Sequence, residues 1–347
     1  MKEVSMKVLS IIIPAYNSEK FLDKCVSSLL VPEVLDRVDI IIVNDGSTDN
    51  TVETAEKYCA KYPGSIRLIS QENKGHGGAL NTGCAAAVGK YLKVIDADDW
   101  VETENLPEFL RLLENCESDV VLTHHYTIDV GTGEIKKWKS FPQKFGVSYS
   151  MDEIMGNWKS FDRSLTFHGI TYRTSFYHEY GIHLSEHVFY EDHEYATFPC
   201  CHAKTVTPFD MFFYDYRIGD VSQSVSEANQ LKRISHTETV LNRMIQEYGK
   251  LDCGEGGKAY AAQKTQGLLL SFLTTALLVE PDRKKGRALA KAAVEAFCTG
   301  IPSNAKNAQS KYRVFLWMNR LGLTKGTWDW VLRSRFYNML LRKRSFE

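Results

Sequence analysis

Short runs dominated by β-branched apolar residues alternate along the first half of the chain with segments whose apolar residues recur at helical spacing. The clearest runs are Val8–Ile13 and Asp39–Val43, and shorter ones follow at Ile66–Ile69, Tyr91–Ile95 and Val120–Thr123. Continuous apolar runs are typical of strands buried on both faces of a parallel sheet. The alternation predicts an α/β fold with a Rossmann-like, doubly wound, mainly parallel sheet, whose ligands bind beyond the carboxyl ends of the strands.

The pattern changes near residue 226, after which long helical patterns appear without strand-like runs. We therefore expect two domains, 1–225 with the sheet and 226–347 as a helical C-terminal region. The longest apolar run, Gly267–Val279, is interrupted by Ser and Thr. It falls short of the roughly 20 residues that a membrane span needs, so a buried helix is predicted.

Composition places the chain among folded globular proteins, with 347 residues, 44% hydrophobic, 24% charged and a net charge of −1. Such a balance gives no reason to expect a nucleic acid partner. Eight cysteines without a CxxC pair and the short apolar run at the N-terminus predict a reduced, cytoplasmic protein.

Charge is uneven along the chain, because residues 311–347 hold nine basic and two acidic residues interleaved with aromatic ones. Two interpretations of this tail stay open. It would either contact the inner face of an anionic membrane or pack its aromatic residues on the rest of the protein.

Polar clusters follow three of the predicted strands, at Pro14–Asn17, Asn44–Ser47 and Asp96–Asp99. In an extended chain Asp96 and Asp98 would share one face about 7 Å apart, which suits a hard divalent cation. The alternative is an acidic cluster that opens a helix near Glu102. The Asp45–Ser47 stretch is either a turn or a contact to a base edge.

A glycine-rich stretch, Gly75–Gly78, leads into a predicted helix, where a phosphate could approach the backbone closely. A further string, HLSEH at residues 183–187, formally fits a zinc-protease motif. We disfavour this interpretation, because the residues around it do not predict a long helix.

Four motifs together resemble the family 2 glycosyltransferases of GT-A fold. They read SIIIPAYNSEKFLDKCVSSLL, DIIIVNDGSTDNT, ENKGHGGALNTGCAAAVGKYLKVIDADDW and FYEDHEY, in the order in which the family has them, within residues 7–225. The resemblance implies that Pro14, Ala15, Tyr16 and Asp45 hold the nucleoside of a nucleotide sugar, usually a UDP-sugar. The expected donor-binding set also includes Asn17, Gly46, Ser47, Asn73, Lys74, Gly75, Asn81, Asp96, Ala97, Arg217 and Ser224.

The resemblance further implies that Asp98, with Asp96, ligates Mg²⁺ or Mn²⁺, and that Asp192 is the catalytic base. Glu191 and His168 are expected on the acceptor side. An acidic first helical turn is the other interpretation of Asp192. Many family members carry Arg before the residue equivalent to Asn81, where this chain has Leu, so a nucleotide contact could be missing or come from Lys74.

The implied reaction is an inverting, metal-dependent sugar transfer to a hydroxyl of a glycan, lipid-linked or polymer acceptor, in surface polysaccharide synthesis. Two alternatives remain: an inactive glycan-binding or scaffold protein on the same fold, and a sugar-1-phosphate nucleotidylyltransferase. The second should show a Gly-rich loop with Arg where PAYN stands. No GxGxxG follows the first strand, which excludes a dinucleotide dehydrogenase.

Overall fold

The computed structural model describes residues 7–219 and 227–327. The chain divides into two compact units, Met1–Gln223 with Asp252–Ala261, and Ser224–Leu251 with Ala262–Glu347.

The first unit is built on one curled sheet with the strand order β3-β2-β1-β4-β8-β6-β9-β5, and β7 pairs with β6. Its strands are β1 (Leu9–Ala15), β2 (Val38–Asp45), β3 (Ile66–Gln71), β4 (Tyr91–Val94), β5 (Trp100–Val101), β6 (Val120–Asp129), β7 (Ile135–Trp138), β8 (Ile170–Arg173) and β9 (Val206–Ile218). The first four strands are parallel, as predicted. Strand β8 is antiparallel to both β4 and β6, so the complete sheet is mixed rather than mainly parallel.

Helices cover the sheet of the first unit. They are α1 (Leu22–Ser27), α2 (Thr51–Lys61), α3 (Gly75–Ala85), α4 (Leu106–Glu114), α5 (Met151–Gly156), α6 (Thr174–Tyr180) and α7 (Asp192–Cys201), with 3₁₀ turns at Pro32–Arg37, Thr103–Asn105 and Trp158–Ser160. Helices α1 and α4 bury Leu22 and Phe109 in the main core, where Phe109 lies 4.4 Å from the ring of Phe213. Fully burying one such side chain stabilises the fold by roughly 1.5–3 kcal/mol.

Small residues let α3 approach the sheet closely. A Cβ at Gly83 would lie 2.3 Å from Cγ2 of Ile12, a separation that real side chains do not tolerate. The alanine- and glycine-rich sequence of α3 therefore allows its N-terminus to lie beside the carboxyl ends of β1 and β2.

The second unit is helical throughout the residues that the structure describes there, and the predicted helical C-terminal region is confirmed. Its elements are α8 (Glu227–Lys232), α9 (Ile234–Tyr248), α10 (Glu255–Thr274, whose first residues belong to the first unit), a π-helical turn (Thr275–Val279), α11 (Arg283–Gly300), a 3₁₀ turn (Pro302–Asn304) and α12 (Ala305–Arg320). The Asp282 carboxylate caps α11 by accepting hydrogen bonds from the Lys284 and Lys285 amides. In the described ranges no helix has the length and apolarity that crossing a membrane requires.

Candidate active site

A pocket of about 340 Å³ opens where β1 and β2 end. Pro14, Ala15, Tyr16 and Asp45 contribute to its lining, together with Asn73 and Gly75, all of which belong to the predicted donor-binding set. Tyr16 is 53% exposed, so its ring stands at the rim, where a planar base could stack on it. The rest of the lining was not predicted: it comprises His76, Ala79, His187, Val188 and Phe189.

Asp45 lies at the base of this pocket and is almost fully buried. One carboxylate oxygen, Oδ1, accepts hydrogen bonds from the Lys74 amide at 2.8 Å and the Gln71 side chain at 2.7 Å. Asn73 donates its side-chain amide to the Asp45 carbonyl at 2.9 Å. Gly46 has a φ of +74°, so the turn after β2 uses a conformation that favours glycine.

Asn17 and Ser47 take part in hydrogen bonds between the turn that follows β1 and the turn that follows β2. The Asn17 amide donates to Ser47 Oγ at 3.1 Å, and the Thr48 amide donates to Asn17 Oδ1 at 2.8 Å. These bonds hold the turns after β1 and β2 together, so both residues have a structural role in the shape of the pocket.

The acidic segment after β4 is a turn, closed by a hydrogen bond from the Asp99 amide to the Asp96 carbonyl at 3.0 Å. The expectation of an extended chain with Asp96 and Asp98 on one face is therefore wrong. Asp99 is buried and accepts from the Tyr214 hydroxyl at 2.5 Å and the Arg217 amide at 2.7 Å. Burial raises the pKa of Asp99 well above its usual value, and the charges of Asp96 and Asp98 add to this effect.

Asp98 is the more accessible carboxylate of this turn. Its side chain is 37% exposed, and one oxygen lies 4.0 Å from the guanidinium of Arg217, which itself stacks over Phe21 at 4.6 Å. Ala97, between the two carboxylates, is buried. The acidic turn and Arg217 thus meet, as the resemblance implied, whereas Ser224 lies outside the described residues.

The described ranges contain no cluster of three or more His, Cys, Asp or Glu side chains able to hold a metal ion by themselves. One or two carboxylates nevertheless suit Mg²⁺ or Mn²⁺ when phosphate oxygens and water complete the coordination. Asp98 offers such a ligand, while Oδ1 of Asp96 already accepts a hydrogen bond from His76. The donor set fits a metal that is bound together with a diphosphate.

Glu191 and Asp192 lie at the start of α7, with Asp192 as its first residue. The neighbouring Glu194 is fully buried and accepts from the Ser185 amide and hydroxyl, both at 2.8 Å. Asp192 is half-buried, and its charge is among those that raise the pKa of Tyr216, after burial and together with Asp96, Asp98 and Asp99. Asp192 therefore begins a helix and lies, like the acidic turn, near enough to Tyr216 to raise the pKa of its hydroxyl.

His168 packs among aromatic rings. It stacks on Tyr216 at 4.2 Å and meets the edge of Tyr214 at 4.9 Å. Burial lowers the pKa of His168 well below its usual value, with His125 and Lys93 adding to the shift. The ring is thus neutral and held by packing.

Asn81 is not among the residues that line the pocket at the ends of β1 and β2. Its amide group makes a pair of hydrogen bonds with the backbone of Leu184, accepting from the amide at 2.8 Å and donating to the carbonyl at 3.1 Å. The carbonyl of Lys74 accepts from the His187 amide at 2.8 Å. Together these contacts attach residues 184–187 to α3.

His76 is a residue of the site that the sequence did not single out. Its ring lies between two carboxylates, with Nδ1 2.5 Å from Glu191 Oε1 and Nε2 2.8 Å from Asp96 Oδ1. Burial lowers the pKa of His76, but the charges and hydrogen bonds of the two carboxylates outweigh it and raise the pKa well above the usual value. Its place within the glycine-rich stretch Gly75–Gly78 is the sequence feature from which a role in the site could have been predicted.

A pocket at the carboxyl ends of parallel strands, with His76 of its lining in contact with the acidic turn and with the acidic start of α7, is typical of α/β proteins that bind ligands at this edge of the sheet. Comparison with known sequences narrows this class, because the sequence model described as "Glycosyl transferase family 2" matches residues 10–181. This part of the chain is a family 2 glycosyltransferase domain, and the family expected from the sequence is confirmed.

Individual proteins are similar over limited stretches. GlyG of Streptococcus pneumoniae, named a glycosyltransferase, is 30% identical over 158 residues, which is 44% of this chain and 52% of GlyG. The chondroitin synthase of Escherichia coli is 38% identical over 121 residues, 35% of this chain and 17% of that protein. The chain therefore spans about half of GlyG, and about a third of two other curated relatives.

The fold is shared with solved structures. TarS 1–349 of S. aureus, in complex with UDP-GlcNAc, superimposes with a TM-score of 0.67 at 20% identity, covering 91% of this chain and 92% of that one. The mannosyltransferase PcManGT of Pyrobaculum calidifontis, in complex with GDP-Man and Mn²⁺, gives 0.50 at 16% identity, covering 90% and 84%. The predicted GT-A fold is thereby confirmed.

Proposed function

We propose that this chain is a metal-dependent, inverting glycosyltransferase that moves a sugar from a nucleotide sugar, a UDP-sugar, to an acceptor hydroxyl. Residues 1–225 would form the catalytic domain. The observation that carries the proposal is that His76, which lines the pocket, contacts both Asp96 of the acidic turn and Glu191, the residue before Asp192.

The donor would bind along the carboxyl ends of β1, β2 and β4. Tyr16 offers a ring for the base, and the buried Asp45 offers a carboxylate for a base N–H. TarS was crystallised with UDP-GlcNAc, which supports UDP as the nucleotide. The diphosphate would then extend toward Asp98 and Arg217.

Asp98, assisted by Asp96, would hold Mg²⁺ or Mn²⁺, whose charge stabilises the leaving diphosphate when it is bound. The PcManGT complex with Mn²⁺ supports this choice of cation. Arg217, within 4.0 Å of Asp98, is placed to add a second positive charge.

Asp192 would accept the proton of the acceptor hydroxyl as that oxygen attacks the anomeric carbon. The bond to the nucleoside diphosphate breaks on the opposite face, which inverts the configuration. Glu191 and the aromatic cluster of His168, Tyr214 and Tyr216 would border the acceptor. We propose that this acceptor is a glycan, lipid-linked or polymer substrate of surface polysaccharide synthesis.

Contact with the inner face of a membrane is proposed for the basic C-terminal segment. Val314, Trp317 and Leu321 lie on one face of the α12 segment and are 48%, 60% and 57% exposed. Residues 305–327 contain five basic and no acidic residues. An exposed apolar stripe with basic flanks suits the interface of an anionic bilayer. The alternative is that the aromatic residues of the tail pack on the rest of the protein; the exposure of Trp317 gives it no support, and residues 328–347 of the tail lie outside the described residues.

The test is release of nucleoside diphosphate from a panel of nucleotide sugars, with Mn²⁺ and with chelator. Metal-dependent turnover of one UDP-sugar is expected. Asp192→Asn should bind UDP like the wild type but lose roughly 10²–10⁴-fold in turnover, the usual contribution of a general base. The control is Asp36→Asn, an exposed carboxylate just before β2, at the other end of the strands. Wild-type turnover in Asp192→Asn would refute the base assignment, and absence of nucleotide binding would favour the scaffold alternative.

A further inference from the structure

His76 makes two short contacts with carboxylates that belong to different parts of the site. Asp96 follows β4 on the donor side, and Glu191 immediately precedes Asp192 at the start of α7. The two nitrogen–oxygen distances, 2.8 and 2.5 Å, are those of charge-assisted hydrogen bonds. One imidazole therefore links the donor side to the helix that carries the proposed base.

The backbone around His76 is adapted to this position. A Cβ at Gly77 would lie 2.1 Å from the Ser185 carbonyl oxygen and 3.0 Å from Cγ of Glu191, so only glycine permits this approach. Gly75 has a φ of +77°, and a Cβ there would lie 2.9 Å from the His187 amide nitrogen. The start of α3 thus packs closely against the segment that leads to Glu191, which brings His76 within hydrogen-bond distance of that carboxylate.

Glu191 depends on this contact. Its side chain is 4% exposed, and its second oxygen, Oε2, is buried with no hydrogen-bond partner among the described residues. A buried carboxylate is costly unless it is paired and hydrogen-bonded, and the His76 ring, with Nδ1 2.5 Å from Oε1, is the hydrogen-bond partner that the structure places against it.

We propose that His76 is a positioning residue of the transfer reaction, holding the carboxylates of Asp96 and Glu191 and thereby fixing the direction of Asp192. This inference rests on the proposed function. Without the imidazole the two carboxylates repel each other, and the first turn of α7 loses its attachment to α3. Supporting residues of this kind typically contribute 10- to 100-fold to activity.

Kinetics of His76→Ala should separate positioning from general damage. At saturating donor, kcat should fall roughly 10- to 100-fold, while Kd for UDP with Mn²⁺ should rise by less than about threefold. His76 is only one of the side chains that line the pocket, and both its ring nitrogens hydrogen-bond to Asp96 and Glu191. His76→Gln, which keeps one N–H donor, should recover part of kcat. The control is His178→Ala, since that ring also contacts α3, at the Cys84 carbonyl and 2.9 Å away.

A double-mutant cycle that combines His76→Ala with Glu191→Gln tests whether Glu191 is the side chain through which His76 acts. If His76 acts through Glu191, the double variant should lose little more kcat than the more damaging single variant. Losses that multiply, or wild-type kcat in His76→Ala, would overturn the proposal. If His76→Ala fails to fold, the same cycle is run with His76→Gln.

Nitrogen-15 NMR of the histidine rings gives a readout that needs no activity. The wild type should show two slowly exchanging, low-field ring N–H protons that vanish in His76→Gln. Absence of either proton would refute the bridge while leaving the proposed transfer intact. A chain with the bridge but no turnover of any nucleotide sugar would contradict the proposed function, and the positioning role would fail with it.

Discussion

Removing the side-chain amide of Asn81 distinguishes two roles for this residue. The family resemblance implies a nucleotide contact, whereas in the structure both polar atoms of the amide bind the backbone of Leu184. Leu184 is fully buried, so Asn81→Ala would leave its N–H and C=O without their partner in a place that water reaches poorly.

The magnitude follows from these two bonds. Leaving a buried donor or acceptor unsatisfied costs about 1–3 kcal/mol, so two such groups should lower the free energy of unfolding by roughly 2–6 kcal/mol. The cost cannot exceed the free energy needed to detach residues 184–187 from α3, because the segment would then detach and its backbone would bind water. Such detachment would displace His187, Val188 and Phe189 from the pocket wall. UDP affinity should then fall as a consequence of the lost wall.

Two measurements on the same variant decide between the roles. Hydrogen exchange should show faster exchange in residues 182–190, and calorimetry should show weaker UDP binding. Asn115→Ala is the matched control, because its side chain donates a single exposed hydrogen bond to the Arg111 carbonyl. Weaker UDP binding with unchanged exchange in residues 182–190 would refute the anchoring role and support a direct nucleotide contact.

Three further predictions address other parts of the chain. Burial lowers the pKa of Lys93 from 10.5 to about 7, so the folded state loses this proton at a lower pH than the unfolded state does. Between pH 7 and 9.5 the free energy of unfolding of the wild type should therefore rise by up to roughly 3 kcal/mol relative to that of Lys93→Met. The same pH dependence of unfolding in both proteins, measured with denaturant, would contradict this. Tyr214→Phe removes the hydroxyl that donates to the buried Asp99 and should cost about 1–3 kcal/mol in urea unfolding, a loss near zero being the contrary result. Trp317→Ala should weaken co-sedimentation with phosphatidylglycerol vesicles but not the weak binding to phosphatidylcholine, whereas Phe141→Ala, 67% exposed in the first unit, should bind like the wild type; equal binding of both variants would refute the membrane contact.

Local sequence was sufficient for the parallel half of the sheet. The strands β1 and β2 contain continuous β-branched apolar runs, and β3 and β4 contain shorter mixed ones. The carboxyl ends of β1, β2 and β4 bring Tyr16, Asp45 and Asp98 to one edge of the sheet. The rest of the sheet was not predicted: β8 runs antiparallel to β4 and β6, and β6 and β9 pair in parallel over a long stretch with register shifts, all of which are pairings between residues far apart in the sequence. The turn at Asp96–Asp99 escaped prediction for a similar reason, since the partners of Asp99 are Tyr214 and Arg217, more than a hundred residues away.

Residues 182–191 were the least predictable part of the site. They connect the pocket at the ends of β1 and β2 with the start of α7. The segment has no periodic pattern of its own; its conformation depends on Asn81 and His76 of α3 and on the buried Glu194. The same stretch lines the nucleoside pocket and then ends at Glu191. A change in the pocket wall is therefore transmitted over a few residues to the start of α7. Variants of these attachments should consequently alter donor affinity and turnover together, in proportion to how far the segment moves. His76→Ala leaves the Asn81 attachment intact, so it should lower turnover far more than donor affinity.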